Sequence, residues 1–152
     1  MKILFVCLGN ICRSPVLEAV LRTQLERAGL DWQVASCGTG DWHLGQGADP
    51  RSCASALRRG YSLQTHRARQ LAAADFVEHD WLLAADRSNL AELQRRRPAA
   101  ATAQLSLVLP YVGILRPQEV PDPYYGGEAG FDAVIDLAEA FAQRVIAKAR
   151  AT

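Results

Sequence analysis

Charge of one sign is what this chain has least of: 17 lysines and arginines stand against 16 aspartates and glutamates over 152 residues, a formal net charge of +1. Such a balance does not advertise a nucleic-acid or membrane partner. Long apolar runs are missing as well. None approaches the roughly 20 residues that a bilayer-spanning helix needs, and the N-terminus carries neither the basic region nor the small-residue cleavage site of a secretory signal. Cysteine is sparse, with four residues, too few for a disulfide scaffold at this length and more in keeping with a reducing, cytoplasmic setting. Zinc fits them poorly. The spacings Cys7 to Cys12 and Cys37 to Cys53 do not make two short ligand pairs, and Arg13 beside the first would oppose a cation.

What is present is an ordinary globular composition, 49% hydrophobic and 22% charged, in a length that one domain, residues 1–152, fills with a single core. Lys2 to Cys7, KILFVC, is a continuous apolar run with β-branched and aromatic members, the pattern of a central strand buried on both faces. Ser14 as N-cap and Pro15 at the first helical position open a helix, in which Val16, Leu17, Val20, Leu21 and Leu25 recur at helical spacing up to Gly29. Trp32 to Cys37 reads as a second strand, and Asp49 with Pro50 opens a helix to Arg59. Trp81 to Ala85 reads as a third strand, followed by a helix over Ser88 to Arg97. Gln104 to Leu109 is the fourth strand, Pro110 to Gly130 an irregular loop with four prolines, and Phe131 to Ala149 a closing amphipathic helix. Strands alternating with helices predict a three-layer α/β domain with a parallel sheet. Its ligands bind beyond the carboxyl ends of the strands.

The loop from Cys7 to Ser14, CLGNICRS, lies at that edge. A loop wrapped around a helix N-terminus presents backbone N–H groups, and the helix dipole adds positive potential, so its expected guest is an oxyanion. Gly9 and Asn10 are residue types that tolerate the left-handed backbone such a wrap requires. The glycine-lysine signature of a nucleotide loop is missing, which leaves a cradle for one anion without Mg²⁺. Cys7 enters this positive site at the strand's end, where the amides, the helix terminus and Arg13 favour the thiolate, a competent nucleophile. Arg13 has a planar fork able to hold two oxygens of a tetrahedral phosphate. Taken singly, Cys7 is a buried strand thiol, Arg13 a surface charge and Ser14 an N-cap. As a set, Cys, five residues and Arg-Ser between a strand and a helix point to cysteine-dependent phosphoryl transfer, with the Ser14 hydroxyl available to the sulfur when the thiolate leaves.

On these residues the chain resembles the low-molecular-weight protein tyrosine phosphatase family. VCLGNICRSP matches the family's N-terminal loop, and GTGDWHLG at 38–45, HRARQL at 66–71 and VPDPYYGG at 120–127 continue the likeness through nearly the whole length. The resemblance implies a four-stranded parallel sheet of flavodoxin-like topology, a phosphate loop between strand 1 and helix 1, and no metal or organic cofactor. It implies Cys7 as nucleophile, Arg13 as phosphate clamp and Asp122 as general acid and base. A tyrosyl oxygen leaves poorly as an anion, the phenol pKa being about 10, so protonating it lowers the barrier. On its own, Asp122 reads as a turn residue before Pro123. Leu8, Gly9, Asn10, Ile11, Cys12 and Ser14, with Trp42, Tyr124 and Tyr125, are the expected substrate-binding set, their apolar depth selecting phosphotyrosine. Asn10, Ser36 and His66 resemble positions that brace the loop, and Cys12 one that pairs reversibly with Cys7 under oxidant. Cys37 and Cys53 read as structural.

The resemblance also frames the rivals. Arsenate reductases use a similar loop but need further cysteines for a disulfide relay, and after Cys12 only Cys37 and Cys53 remain. Protein arginine phosphatases are closer, with threonine expected where Ile11 stands. A catalytically silent phosphotyrosine-binding module would not need Asp122. The expected partner is a phosphotyrosine-containing protein, a tyrosine kinase among the candidates, with inorganic phosphate as product and a monomer or weak dimer as the working form.

Overall fold

In the computed structural model, which describes residues 1–151, the run Lys2–Cys7 forms strand β1, buried throughout from Ile3 to Cys7. β1 pairs in parallel with β2 (Gln33–Gly38) on one side and with β3 (Trp81–Ala84) on the other, and β3 pairs in parallel with β4 (Gln104–Leu107). The order is β2-β1-β3-β4, so successive crossovers leave β1 toward opposite edges and open a crevice at its carboxyl end.

Burial on both faces accounts for the unbroken apolar sequence of β1. Ile3, Phe5 and Cys7 join the core beneath α1 (Arg13–Arg27) and α6 (Glu128–Arg150), whereas Leu4 and Val6 join the core beneath α3 (Asp75–Glu78) and α4 (Arg87–Arg96). Phe5 meets Phe141 of α6 edge to face at 5.6 Å. Each such fully buried side chain contributes about 1.5–3 kcal/mol relative to exposure. α2 (Pro50–Arg58) is capped by the Asp49 carboxylate, which accepts from the Arg51 amide, and Gly60 follows its end with a positive φ of 87°.

Several boundaries differ from the sequence expectation. α1 starts at Arg13, its N-cap position is Cys12, and no side chain caps it; the Ser14 hydroxyl is engaged elsewhere, as described below. β4 ends at Leu107 because Val108–Tyr111 coil into a short helix, α5. Periodicity cannot separate strand from helix in so short an apolar run. The four-residue α3 was unforeseen, being too short for a helical repeat, and the closing helix starts at Glu128 rather than Phe131, with that acid in its first turn. Among the described residues, no helix is long and apolar enough to cross a membrane.

Candidate active site

The loop after β1 is held from outside by its carbonyls. Those of Cys7 and Leu8 accept from the amides of Thr39 and Gly40, that of Ile11 accepts from Asp49 N–H, and that of Asn10 accepts from His66 Nε2 at 2.6 Å. A carbonyl can only accept, so His66 carries its proton on Nε2. Among the described residues, no backbone carbonyl accepts from the amides of Gly9, Asn10, Ile11 or Cys12. With carbonyls outward, these donors form an anion nest continuous with the uncapped start of α1. Close approach is needed to build it: a Cβ on Gly38 would stand 2.7 Å from the Leu8 carbonyl oxygen.

Asn10 is the only non-glycine residue with positive φ among those described, at 57°, and its side chain explains why it holds that conformation. Nδ2 donates to Ser14 Oγ at 2.8 Å and to Ser36 Oγ at 3.0 Å, while Oδ1 accepts from the Arg69 amide at 2.9 Å. Ser36 in turn donates to Glu18 Oε1. Since Ser14 Oγ accepts from Asn10, its own proton can go to the Cys7 sulfur at 2.9 Å or to the Cys37 carbonyl at 3.4 Å. A thiolate at Cys7 draws that proton, and a thiol leaves it free to turn away.

Arg13 is 3% exposed. Its NH1 donates to Asp86 at 2.7 Å and to the Val120 carbonyl at 3.0 Å, and NH2 lies 3.6 Å from Asp122. Burial works to lower its pKa, but Cys7 and the bonded Asp86 outweigh it and hold the guanidinium above its ordinary range. Asp86 is itself fixed by capping α4, accepting from Asn89 N–H. Cys12 is different: burial, then Asp49, pushes its thiol up to about 12.

Cys7, Arg13 and Asp122 converge on one cavity of about 400 Å³, walled by Leu8, Ile11, Cys12, Trp42, Tyr124 and Tyr125 and reached also by Gly9 and His43. Trp42 and Tyr125 are 66% and 95% exposed, so they form the rim, while Tyr124 packs inward on Ile11, Cys12 and Phe131. The side chains of Asn10 and Ser14 stand apart from the rest of the expected binding set, Asn10 contributing its backbone amide to the nest. Both side chains are fully buried behind the loop and engaged with each other, and neither lines the cavity. Ser36 Oγ accepts from the Asn10 side chain and His66 Nε2 donates to the Asn10 carbonyl.

The sequence reading missed Asp86, Glu18, His43 and Arg51. Asp86 had a usable signal, an acid directly after a strand at the same sheet edge as Cys7; the others reveal themselves only through long-range contacts. A model of the low molecular weight phosphotyrosine protein phosphatase family matches residues 2–151. The chain belongs to this family. A phosphatase of that name from Schizosaccharomyces pombe is 43% identical over 142 residues, covering 91% of this chain and 90% of its own. Among phosphatases of known structure, a protein tyrosine phosphatase from Entamoeba histolytica with Hepes in the active site superposes with a TM-score of 0.91 at 38% identity, over 99% of this chain and 97% of that one. A structure described as a drosophila arginine phosphatase also reaches 0.91, at 32% identity, over 99% and 98%. The four-stranded parallel α/β architecture expected from the resemblance is therefore the phosphatase fold.

Proposed function

We propose that the chain hydrolyses phosphotyrosine and small aryl phosphates through a phosphocysteine intermediate. The observation that supports this best is the meeting of a buried cysteine, a buried arginine and a half-exposed aspartate around one nest of inward amides. Cys7 Sγ attacks phosphorus in line, forming the S–P bond as the P–O bond to the phenol breaks, and Asp122 gives its proton to the departing phenolic oxygen. The loop amides and the Nε–NH2 edge of Arg13 hold the equatorial oxygens, NH1 being occupied by Asp86 and Val120. The Arg13–Asp122 contact, too long at 3.6 Å for a good hydrogen bond, yields when phosphate takes the guanidinium. Water then attacks phosphorus and gives a proton to Asp122. The S–P bond breaks, the Ser14 hydroxyl donates to the departing thiolate, and inorganic phosphate leaves.

Apolar walls from Ile11, Trp42 and Tyr124 favour an aromatic ring over a shorter or charged side chain. Phosphoarginine is the second reading, because a structure named arginine phosphatase is a near neighbour; Ile11, where threonine would be expected, weighs toward tyrosine. A cytoplasmic phosphotyrosine protein, a tyrosine kinase among the candidates, is the substrate this reading favours.

Hydrolysis of p-nitrophenyl phosphate in the presence of chelator, beside Cys7→Ser and followed by phosphotyrosine and phosphoarginine peptides, tests the proposal. Turnover that survives chelation, is lost in the variant and prefers phosphotyrosine is expected. Turnover in Cys7→Ser, or a preference for phosphoarginine, would refute it.

A further inference from the structure

The phosphate loop and the loop bearing Asp122 are distant in sequence, and besides Arg13, which meets the Val120 carbonyl and Asp122, a second arginine from outside both loops links them. The Asp49 amide donates to the Ile11 carbonyl at 2.9 Å, which fixes Asp49 to the phosphate loop. Its carboxylate, 7% exposed, receives Arg51 Nε at 3.1 Å and NH2 at 2.9 Å. Held in that fork, the guanidinium lies 4.6 Å from the ring centre of Phe131 and 5.5 Å from that of Tyr124. Tyr124 N–H donates to Asp122 Oδ1 at 3.0 Å. The contacts thus run without a gap from the phosphate loop through Asp49, Arg51 and Tyr124 to the carboxylate opposite Cys7.

Resting on the proposal that Asp122 is the general acid, we infer that Arg51 is a positioning residue for it. The Arg51 plane, fixed by Asp49, sets where Tyr124 and hence Asp122 stand relative to the phosphorus. Three features set this apart from an ordinary surface ion pair. The cation touches aromatic faces that belong to the acid's own loop and to the helix that follows it. Its anchor is bonded to the phosphate loop itself. Arg51 does not line the cavity, so it acts on the reaction through the acid and leaves the phosphate untouched. The guanidinium shape matters because a lysine can keep the ion pair with Asp49 but cannot lay a plane against the rings.

The test is the leaving-group dependence of kcat/KM, which reports the first chemical step. Arg51→Ala is expected to lower it roughly tenfold to a hundredfold for phenyl phosphate, the cost of a misplaced group. For 2,4-dinitrophenyl phosphate, whose phenolate needs no proton, the loss is within about twofold, as is any change in inhibition by inorganic phosphate. Arg51→Lys falls between Arg51→Ala and the parent. In an Asp122→Asn background Arg51→Ala changes neither substrate, because there is no acid left to position. Equal loss on both substrates, or an undiminished loss in that background, would overturn the inference and leave the acid assignment standing. A failure of Asp122→Asn itself to discriminate between the substrates would remove the acid assignment, and the positioning role with it. Should Arg51→Ala not fold, Arg51→Gln carries the same comparison.

Discussion

In the loop from Cys7 to Ser14, four carbonyls are bonded outward, Asn10 is buried with three side-chain hydrogen bonds, and Arg13 is pinned by Asp86 and Val120. The loop that carries Asp122 is hydrogen-bonded to the rest at its start, where Val120 N–H donates to the Ala85 carbonyl and the Val120 carbonyl accepts from Arg13. From Asp122 onward its hydrogen bonds, Tyr124 N–H on Asp122 and Gly126 N–H on the Pro123 carbonyl, stay within the loop, which meets its surroundings through the 3.6 Å Arg13–Asp122 ion pair and the Tyr124 ring. Tyr125, beside it, is almost wholly exposed. The difference suits the roles proposed for the two loops. A phosphoryl group has one shape, so its cradle gains from rigid preorganisation. Leaving groups differ from substrate to substrate, so the proposed acid and its aromatic rim are suited to the less constrained element.

Breaking the rigid half has the largest effect. Cys7→Ser is expected to reduce hydrolysis of aryl phosphates by about 10⁴-fold or more while inorganic phosphate still binds, read by single-turnover kinetics and calorimetry. Asp122→Asn should cost about 10²–10³-fold with poor leaving groups and far less with activated ones, and its melting should shift by no more than about 0.5 kcal/mol in stability. Asn10→Ala reverses that division. It removes three hydrogen bonds and leaves an alanine in left-handed backbone, so denaturant titration should register a loss of about 2–4 kcal/mol, with activity falling alike for every leaving group. A smaller, pH-dependent effect comes from Cys12, whose thiol burial raises to about 12. Because the unfolded thiol ionises near 8.5, the stability it contributes is complete below that pH and lost as pH climbs toward about 12. Cys12→Ala should flatten this alkaline limb in urea midpoints measured across the window. Least of all, Tyr125→Ala should leave stability within about 0.5 kcal/mol and raise KM for aryl substrates only a few-fold.

The two loops also differ in how far the sequence exposes them. Cys7, Gly9, Asn10 and Arg13 lie together between a buried strand and a helix, and local backbone physics is enough to read an anion nest there. Asp122 has no such context. Its sequence neighbours say turn, and only the family likeness of VPDPYYGG assigned it chemistry. Ser14 reads in the sequence both as a cap and as a hydroxyl partner for sulfur, because the two use the same residue type; in the structure it caps nothing and lies between Asn10 and the Cys7 sulfur. Asp86 is legible as an acid following a strand at the sheet edge of Cys7, though its partner Arg13 lies 73 residues away; Glu18 is hidden because it reaches the loop through Ser36, 18 residues on. Val108 and Leu109 continued the apolar pattern of β4 past its end because burial, the property that pattern reports, is shared by strand and helix alike.

Everything proposed for the site turns on Cys7 taking the phosphoryl group. A reaction with an aryl phosphate, quenched in acid within one turnover and digested, locates the group by peptide mass spectrometry. Phosphate on the peptide containing Cys7, absent from Cys7→Ser and formed at the rate of phenol release, is the predicted result. Phenol released in a burst with no phosphorylated peptide, or with phosphate on any other residue, would contradict the account.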